Sequence, residues 1–295
     1  MVAVRKRKIG SEEFFYLEHT MRVKGKVEKK EQYLGKDLPK NIDKLKQEFF
    51  HELFKEKWYS LLDSIKNNFS NEHSKIPETA KLKYLENFLI KFTYNTNRIE
   101  GGTLTLRDTA NLLKEGISPK NKPVKDIKEA ESHKKLFYTM LDNKKDLNLN
   151  TVLYWHKILM QDVDKEIAGK VRNHQVSIAG TTVQLPYPAE LNILLKEFFG
   201  WYNKAKNKLH PVELAALVHL KFVSIHPFTD GNGRMSRIMM NFVLNKNKFP
   251  MLDISYSNRA SYYTALERTQ KTAKEYIFVQ YLIKRYFKEY KKYTN

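Results

Sequence analysis

The stretch His226-Pro-Phe-Thr-Asp-Gly-Asn-Gly-Arg-Met-Ser-Arg237 joins two strongly amphipathic segments of the sequence. Gly231 and Gly233 permit backbone conformations that other residues resist. A glycine-rich loop at the start of a helix turns several N–H groups toward one point, where the positive end of the helix dipole also lies. The stretch therefore predicts a helix–loop–helix unit with a phosphate site at the loop.

The side chains of this stretch are the types that phosphoryl or nucleotidyl transfer needs. Arg234 and Arg237 lie three residues apart on the predicted helix, and two guanidinium groups beside an anion site favour a polyphosphate. Asp230 is a candidate ligand for Mg²⁺, which binds one or two carboxylates together with substrate phosphates. His226, at the start of the loop, is a candidate general base. Asp-Gly and Gly-Asn alone are ordinary turn sequences, but the whole string is far longer than a turn signal.

The segments around this stretch are predominantly helical. From residue 78 onward apolar residues recur at helical spacing, most regularly over 235–243. Residues 176–185 differ because they are short, β-branched and contain Gly180, and the two prolines that follow exclude a helix there. This segment is predicted to be a small hairpin between helices.

The N-terminal part has a different pattern. Residues 14–34 alternate bulky and polar side chains around Gly25, which predicts a β-hairpin, and helical spacing begins after Pro39. Residues 71–77 are the best candidate linker. We therefore predict a mainly α fold in two parts, a β-hairpin and helical region over 1–75 and a helical domain over 76–295.

Composition limits the function classes. The 295 residues include 53 Lys and Arg against 33 Asp and Glu, a net charge of +20, which attracts polyanions but is spread along the chain as on a well-solvated surface. The sequence has no cysteine, which excludes disulfides, thiolate nucleophiles and cysteine-ligated metals and fits a reducing cytoplasm. No apolar run approaches 18 residues, so we predict no membrane span.

The string His-Pro-Phe-x-x-Gly-Asn-Gly-Arg resembles the signature of the Fic family (Fic/Doc, or Fido, domains). Most members of this family transfer AMP from ATP to a Ser, Thr or Tyr hydroxyl of a target protein. Residues 211–219 and 259–266 resemble the family's flanking segments, so the resemblance covers roughly 85–290. It implies a Fic-type helical bundle that uses Mg²⁺ and ATP and acts on a protein.

The resemblance also implies roles for single residues. His226 would deprotonate the target hydroxyl, and Asp230 would bind Mg²⁺ bridging the α- and β-phosphates. Arg234 would hold the departing phosphates, Arg237 would fix the γ-phosphate, and Phe228 would anchor the loop in the core. The resemblance also implies nucleotide binding by five further residues. Gly231, Asn232 and Gly233 would form the anion hole, and Tyr262 and Tyr263 would lie near the adenosine.

A second motif, Thr96-Asn-Arg-Ile-Glu100-Gly101, follows an aromatic helical segment. A glutamate near a helix C-terminus opposes the macrodipole by about 0.3–1 kcal/mol, so it needs a cation or a function. The pattern resembles the inhibitory motif of Fic proteins. It implies that Glu100 pairs with Arg237 and blocks the γ-phosphate site; in some relatives the same glutamate positions a water that removes AMP.

A third segment, residues 177–185, resembles the family's flap hairpin, which pairs with a target segment by strand addition. Gly169 and Arg172 match positions often seen just before the flap. Gln270 stands where relatives with this inhibitory motif often have asparagine, near the adenine. The predicted target-docking residues are Ser177, Ile178, Ala179, Gly180, Thr181 and Thr182.

The sequence thus predicts an autoinhibited protein adenylyltransferase, a nucleotidyltransferase of the cytoplasm. Two alternatives stay open: a Fic variant that uses another nucleotide or removes AMP, and a basic nucleic-acid-binding module with an inactive Fic core. Intact His226, Asp230, Asn232 and Arg234 argue against the second. The expected partner is a protein with a reactive hydroxyl, nucleic acid is not required, and a homodimer is common among relatives.

Overall fold

The computed structural model describes residues 2–23, 26–178 and 180–294. These residues form two compact units, one up to Ser64 and one over Ile65–Tyr293. The boundary between the units lies eleven residues before the predicted domain boundary at 75/76, which stays a prediction.

The first unit contains a three-stranded antiparallel sheet in the order β1 (Ala3–Ile9), β2 (Glu12–Val23) and β3 (Lys26–Gly35). Strands β2 and β3 confirm the predicted hairpin over 14–34, whose turn at Gly25 lies outside the described residues.

Strand β1 was not predicted, because its sequence Ala-Val-Arg-Lys-Arg-Lys-Ile is dominated by charge. All seven of its residues pair with β2 in an antiparallel backbone ladder. Ion pairs across the sheet add to this: Lys6 pairs with Glu13 at 2.5 Å, and Arg7 pairs with Glu31. The apolar side chains of Leu17 and Met21 on β2 pack with Phe49 and Leu53 of the helix that follows the sheet.

Helices account for most of the described residues, and a short π-helical stretch, Lys55–Tyr59, follows the first of them. The second helix continues through most of the predicted linker, so that only residues 76 and 77 separate it from the third. The α-helices of the described chain are α1 (Ile42–Phe54), α2 (Ser60–Lys75), α3 (Glu78–Ile99), α4 (Leu106–Glu115), α5 (Val124–Asp142), α6 (Leu149–Met160), α7 (Leu191–Ala205), α8 (Pro211–Ile225), α9 (Asn232–Lys246), α10 (Arg259–Thr272) and α11 (Tyr276–Glu289).

Helices α8 and α9 lie at the centre of the second unit, with buried residues around most of their circumference. The predicted apolar positions of α9 are confirmed: Met235, Ile238, Met239, Phe242 and Val243 are all buried. Because both helices are packed on nearly every side, the loop between them is held on a rigid base. No helix in the described residues is long and apolar enough to cross a lipid bilayer.

The predicted flap hairpin differs from expectation. Residues 176–178 and 180–185 form no strand, and Ala179 lies outside the described residues. Local side-chain bonds take the place of a ladder: Val183 N–H donates to Thr181 Oγ1 at 3.2 Å, and Gln175 Nε2 donates to Leu185 O at 3.1 Å. Such bonds compete with strand pairing, so the described flap residues are irregular.

Candidate functional site

The loop between α8 and α9 is shaped by one buried amide. The side chain of Asn232 accepts from Phe228 N–H at 2.9 Å and donates to Phe228 O at 2.8 Å. The backbone turns at His226 (φ 52°) and Gly231 (φ 80°), where positive φ favours glycine. Asn232 therefore fixes the loop with its side chain, while its backbone N–H lies at the start of the helix.

The start of α9 retains the features of an anion site. The first intrahelical bond runs from Met235 N–H to Gly231 O, so the N–H groups of residues 232–234 precede the helical ladder. These groups and the helix dipole favour negative charge at this point. The predicted positions Gly231, Asn232 and Gly233 are thus brought together at one helix terminus.

His226 is oriented for proton acceptance. Its Nδ1 lies 3.2 Å from the carbonyl oxygen of Val223, and because a carbonyl only accepts, Nδ1 bears the proton and Nε2 has the free lone pair. Burial lowers the pKa of His226, and the nearby Arg172 guanidinium lowers it further, against the opposing effects of Glu100, Asp230 and the Val223 carbonyl. The imidazole is therefore neutral near pH 7, as a general base must be.

One end of the anion site contains Arg234, Asp230 and Glu129, and we call it the open end. Arg234 is only 1% exposed and pairs with Asp230 and Glu129, each at 3.1 Å. The Asp230 side chain remains 42% exposed, and its other oxygen accepts from Gly231 N–H at 2.5 Å. The open end thus holds one buried cation and one accessible carboxylate.

The charges of the open end stabilise one another. Burial alone would raise the pKa of Asp230, but the Arg234 guanidinium and the Gly231 N–H lower it overall. Burial alone would likewise lower the pKa of Arg234, which the Asp230 and Glu129 carboxylates raise overall. Both groups are therefore ionised at neutral pH.

The opposite end contains Arg237, Glu100, Thr96 and Tyr262, and we call it the closed end. Arg237 Nη2 donates to Glu100 Oε1 at 2.6 Å, and Nε donates to Thr96 Oγ1 at 2.6 Å. The remaining donors bind Thr96 O and Tyr262 Oη, each at 3.3 Å. Burial opposes the charge of Arg237, but Glu100 and Tyr262 raise its pKa overall.

The position of Glu100 depends on Gly233. Glu100 directly follows the last residue of α3, as predicted, and its carboxylate lies against the first turn of α9. A Cβ at Gly233 would overlap Glu100 Oε1. The glutamate therefore places its negative charge at the helix terminus that the sequence assigns to phosphate.

The two tyrosines predicted near the adenosine differ in their surroundings. Tyr262 is buried, and its hydroxyl lies between Arg237 and His219, 2.9 Å from His219 Nε2. Tyr263 is 45% exposed and donates to Ile99 O at 2.9 Å. Tyr262 thus supports Arg237 and Tyr263 supports the end of α3, while Gln270 donates to Ser224 Oγ at 3.2 Å.

His156 was not predicted as a site residue. Its Nδ1 accepts from Gly169 N–H at 3.0 Å, its Nε2 lies 3.1 Å from Asp230 O, and its ring stacks on Phe228 with centroids 3.6 Å apart. Burial lowers its pKa to about 4, so the ring is neutral and Nε2–H donates. A histidine within an apolar helical segment has no sequence signal that distinguishes this role. Glu129 was likewise missed, because it lies on a distant helix.

Arg172, which the sequence places just before the flap, is bonded to the loop between α8 and α9. Its backbone N–H donates to Pro227 O at 2.9 Å, and Nε donates to His226 O at 2.8 Å. Nη1 donates to His174 O at 2.9 Å and Nη2 to Pro186 O at 2.7 Å. One buried guanidinium therefore joins the loop between α8 and α9 to the residues on both sides of the predicted flap.

The described residues contain no cluster of three or more His, Asp or Glu side chains that could hold a metal by themselves. Asp230 suits Mg²⁺ in another way, because an accessible carboxylate beside a phosphate site can share the ion with substrate phosphates. The arrangement as a whole combines a base, an anion site and buried cations, which together can activate a hydroxyl and stabilise charge on phosphates.

Comparison with known proteins gives an independent result. Residues 146–244 match the model of the Fic/DOC family. The chain is 34% identical over 218 residues to "Protein adenylyltransferase Fic" of Culex quinquefasciatus, covering 72% of this chain and 43% of that protein. It is 33% identical over 223 residues to the protein of the same name from Drosophila mojavensis, with coverages of 73% and 43%. The chain thus spans less than half the length of these curated relatives.

Solved structures show the same fold. A Fic-domain-containing signaling protein from Bacteroides thetaiotaomicron aligns with a TM-score of 0.68 at 28% identity, covering 78% of this chain and 96% of that one. Fic-1 from C. elegans aligns with a TM-score of 0.71 at 24% identity, covering 85% and 75%. The loop from His226 to Gly231 lies within the matched family domain, whereas Glu100 lies outside it.

Proposed function

Residues 146–244 form a domain of the Fic/DOC family, and on this premise we propose that the protein transfers AMP from ATP to a hydroxyl side chain of a protein target. The observation that supports this most is His226, whose Nε2 is free to accept a proton beside the anion site of α9. The names of the curated relatives agree with the proposal.

In the proposed reaction, His226 Nε2 accepts the proton of the target hydroxyl. The hydroxyl oxygen forms a bond to the α-phosphorus, and the bond from that phosphorus to its bridging oxygen breaks, so pyrophosphate leaves. The N–H groups at the start of α9 and the Arg234 guanidinium stabilise the charge on the phosphates. A general base contributes about 10²–10⁴ in rate, and orientation by the loop supplies a further part.

Asp230 would hold Mg²⁺ in this reaction. Its carboxylate is accessible and ionised, with Arg234 beside it. When bound, the ion neutralises charge on the phosphates. Asp230 also keeps Arg234 in place, so its role does not depend on the metal alone.

We further propose that Glu100 inhibits the transfer. Its carboxylate occupies the start of α9 and pairs with Arg237, which is buried and would otherwise be free to bind a phosphate. Removing one partner of a buried ion pair leaves an uncompensated charge, at a cost of about 3–5 kcal/mol. Without Glu100, the buried Arg237 would favour a polyphosphate as its new partner.

Four finer points are also proposals. The target protein and a homodimer follow only from the family resemblance. A cytoplasmic location agrees with the absence of cysteine from the sequence. A role for Glu100 in removing AMP is an alternative outcome, since its side chain is 30% exposed at the site.

The test is self-modification with ATP labelled at the α- or the γ-phosphate, using wild type, Glu100→Gly and Glu100→Gly/His226→Ala. We expect label from the α-phosphate only, at least tenfold stronger in Glu100→Gly, and a loss of about 10²–10⁴ when His226 is removed. Label from the γ-phosphate would mean a kinase-like reaction. Equal labelling by wild type and Glu100→Gly would refute the inhibition.

A further inference from the structure

Arg172 is unusual among the buried cations of this protein. It is 4% exposed, and its three side-chain bonds all run to backbone carbonyl oxygens, those of His226, His174 and Pro186. In the described part of the chain it forms no ion pair, and burial is what lowers its pKa. A buried charge without a counter-ion is costly, so such a position suggests a role beyond packing.

The three carbonyl groups belong to two parts of the site. His226 O lies at the start of the catalytic loop, and Arg172 N–H also binds Pro227 O in the same loop. His174 precedes the flap and Pro186 follows it. Arg172 is therefore bonded to the loop that bears the base and to both sides of the segment predicted to dock the target.

The described flap has few other attachments. Thr181 Oγ1 donates to Glu267 Oε1 on α10 at 3.2 Å. The segment forms no strand and has little regular hydrogen bonding of its own. Gln175 Nε2 also donates to Leu185 O at 3.1 Å, but this bond joins the two ends of the flap to each other and not to His226. Among the described hydrogen bonds, those of the Arg172 guanidinium connect these ends to the loop of His226.

We infer that Arg172 is a positioning residue that couples the flap to His226, so that a hydroxyl presented at the flap meets the base in a fixed register. The inference rests on the proposed transfer reaction. Arg172 touches neither the first turn of α9 nor its arginines in any contact described above, so nucleotide binding should not depend on it. The guanidinium is suited to this role because a lysine ammonium, a point charge, cannot bridge three carbonyl groups in a plane.

The charge of Arg172 has a second, separable effect on His226. Arg172 disfavours the protonated ring, whereas Glu100 from the end of α3 and Asp230 from the loop favour it, and the Val223 carbonyl accepts from Nδ1. A lysine would retain the positive charge but lose the planar set of three donors, whereas a glutamine would lose both the charge and this set of donors. The two substitutions therefore separate positioning from charge.

The experiment uses Arg172→Lys and Arg172→Gln in the full chain with Glu100→Gly as the parent. Lys170→Gln is the matched control, because it removes an exposed positive charge two residues away. Self-labelling from α-labelled ATP gives kcat and the KM for ATP at each pH. We expect both Arg172 variants to lower kcat about tenfold or more at unchanged KM. Only Arg172→Gln should move the acid limb of the pH profile upward.

Two measurements do not need catalysis. Hydrogen exchange should become faster in the amides of residues 174–178 and 180–185 in both Arg172 variants and not in Lys170→Gln. The NMR titration of His226 should shift to higher pH in Arg172→Gln alone. If the parent does not label, the proposed function fails, and these two measurements still decide the inference. Unchanged flap exchange, or an unchanged kcat in variants that melt like the parent, would overturn it.

Discussion

The open and closed ends of the anion site use two arginines of one helix in different ways. At the closed end every nitrogen of the Arg237 guanidinium donates to an oxygen. At the open end Arg234 forms two ion pairs, and its Nε has no hydrogen-bond partner in the described residues. Two arginines only three residues apart therefore differ in their hydrogen bonding. Arg237 has a partner for every guanidinium nitrogen, whereas Arg234 retains a donor for a ligand.

The partners of the two arginines also differ in accessibility. Asp230 belongs to the loop itself and is 42% exposed, whereas Glu100 comes from α3, about 130 residues earlier, and is 30% exposed. A carboxylate of the loop can remain while phosphates bind beside it. A carboxylate that lies on the first turn of α9 has to leave. Under the proposed function, the closed end is therefore the end that Glu100 inhibits.

The largest effect should come from the open end. In the Glu100→Gly parent, Asp230→Asn should lower kcat by about 10²–10³, because it removes the carboxylate that holds Arg234 and is available to Mg²⁺. Initial rates of α-label transfer at several Mg²⁺ concentrations measure this. The control is Asp162→Asn, a change at an exposed acid outside the site. If Asp230→Asn labels at the rate of the parent, the open end does not take part in the reaction, and the proposed difference in function between the two ends is wrong.

A smaller effect should come from crowding the closed end. Gly233→Ala adds a Cβ that overlaps Glu100 Oε1, and the glutamate is the more flexible partner. We expect self-labelling to rise up to about tenfold, equivalent to about 1.4 kcal/mol, when the substitution is made in wild type, and to stay below that of Glu100→Gly because the added Cβ also lies beside the phosphate site. In the Glu100→Gly parent the same change should give no increase. An increase in both backgrounds would show that Gly233 acts independently of Glu100.

The third effect concerns stability in acid and leaves the rate of transfer at neutral pH unchanged. The pKa of His156 is about 4 in the folded protein because the ring is buried, against an ordinary value near 6.5. Between these values the unfolded chain binds more protons, so the stability that His156 contributes is complete above pH 6.5 and is lost as pH falls toward 4. The slope is at most about 1.4 kcal/mol per pH unit.

Urea unfolding from pH 7 to pH 4 measures this slope. His133, whose pKa burial lowers to about 3, adds a similar slope over the same pH range and extends it to lower pH. The control is His156→Gln, which can still accept from Gly169 and donate to Asp230 but does not titrate. If the free energy of unfolding falls with pH equally in wild type and His156→Gln, the titration of His156 does not contribute to stability.

Much of the fold could be predicted from local patterns. The regular apolar spacing of α9 and the alternation of β2 and β3 are properties of neighbouring residues, so the sequence contains them directly. Strand β1 was missed because its sequence is dominated by charge, and the backbone ladder with β2 that holds it is not visible in the pattern of β1 alone. The flap was predicted as a hairpin, but local bonds such as that of Thr181 prevailed in the described residues.

The sequence by itself determined the chemistry of the loop: a histidine, an aspartate and two arginines around two glycines, at spacings that a helix start imposes. It also suggested Glu100 as the partner of Arg237, and the structure pairs them. Only the tertiary structure decided which groups hold these side chains. His156, Glu129 and Arg172 lie on other segments, and long-range contacts leave no periodic signal in a single chain, because folding and not sequence spacing brings them together.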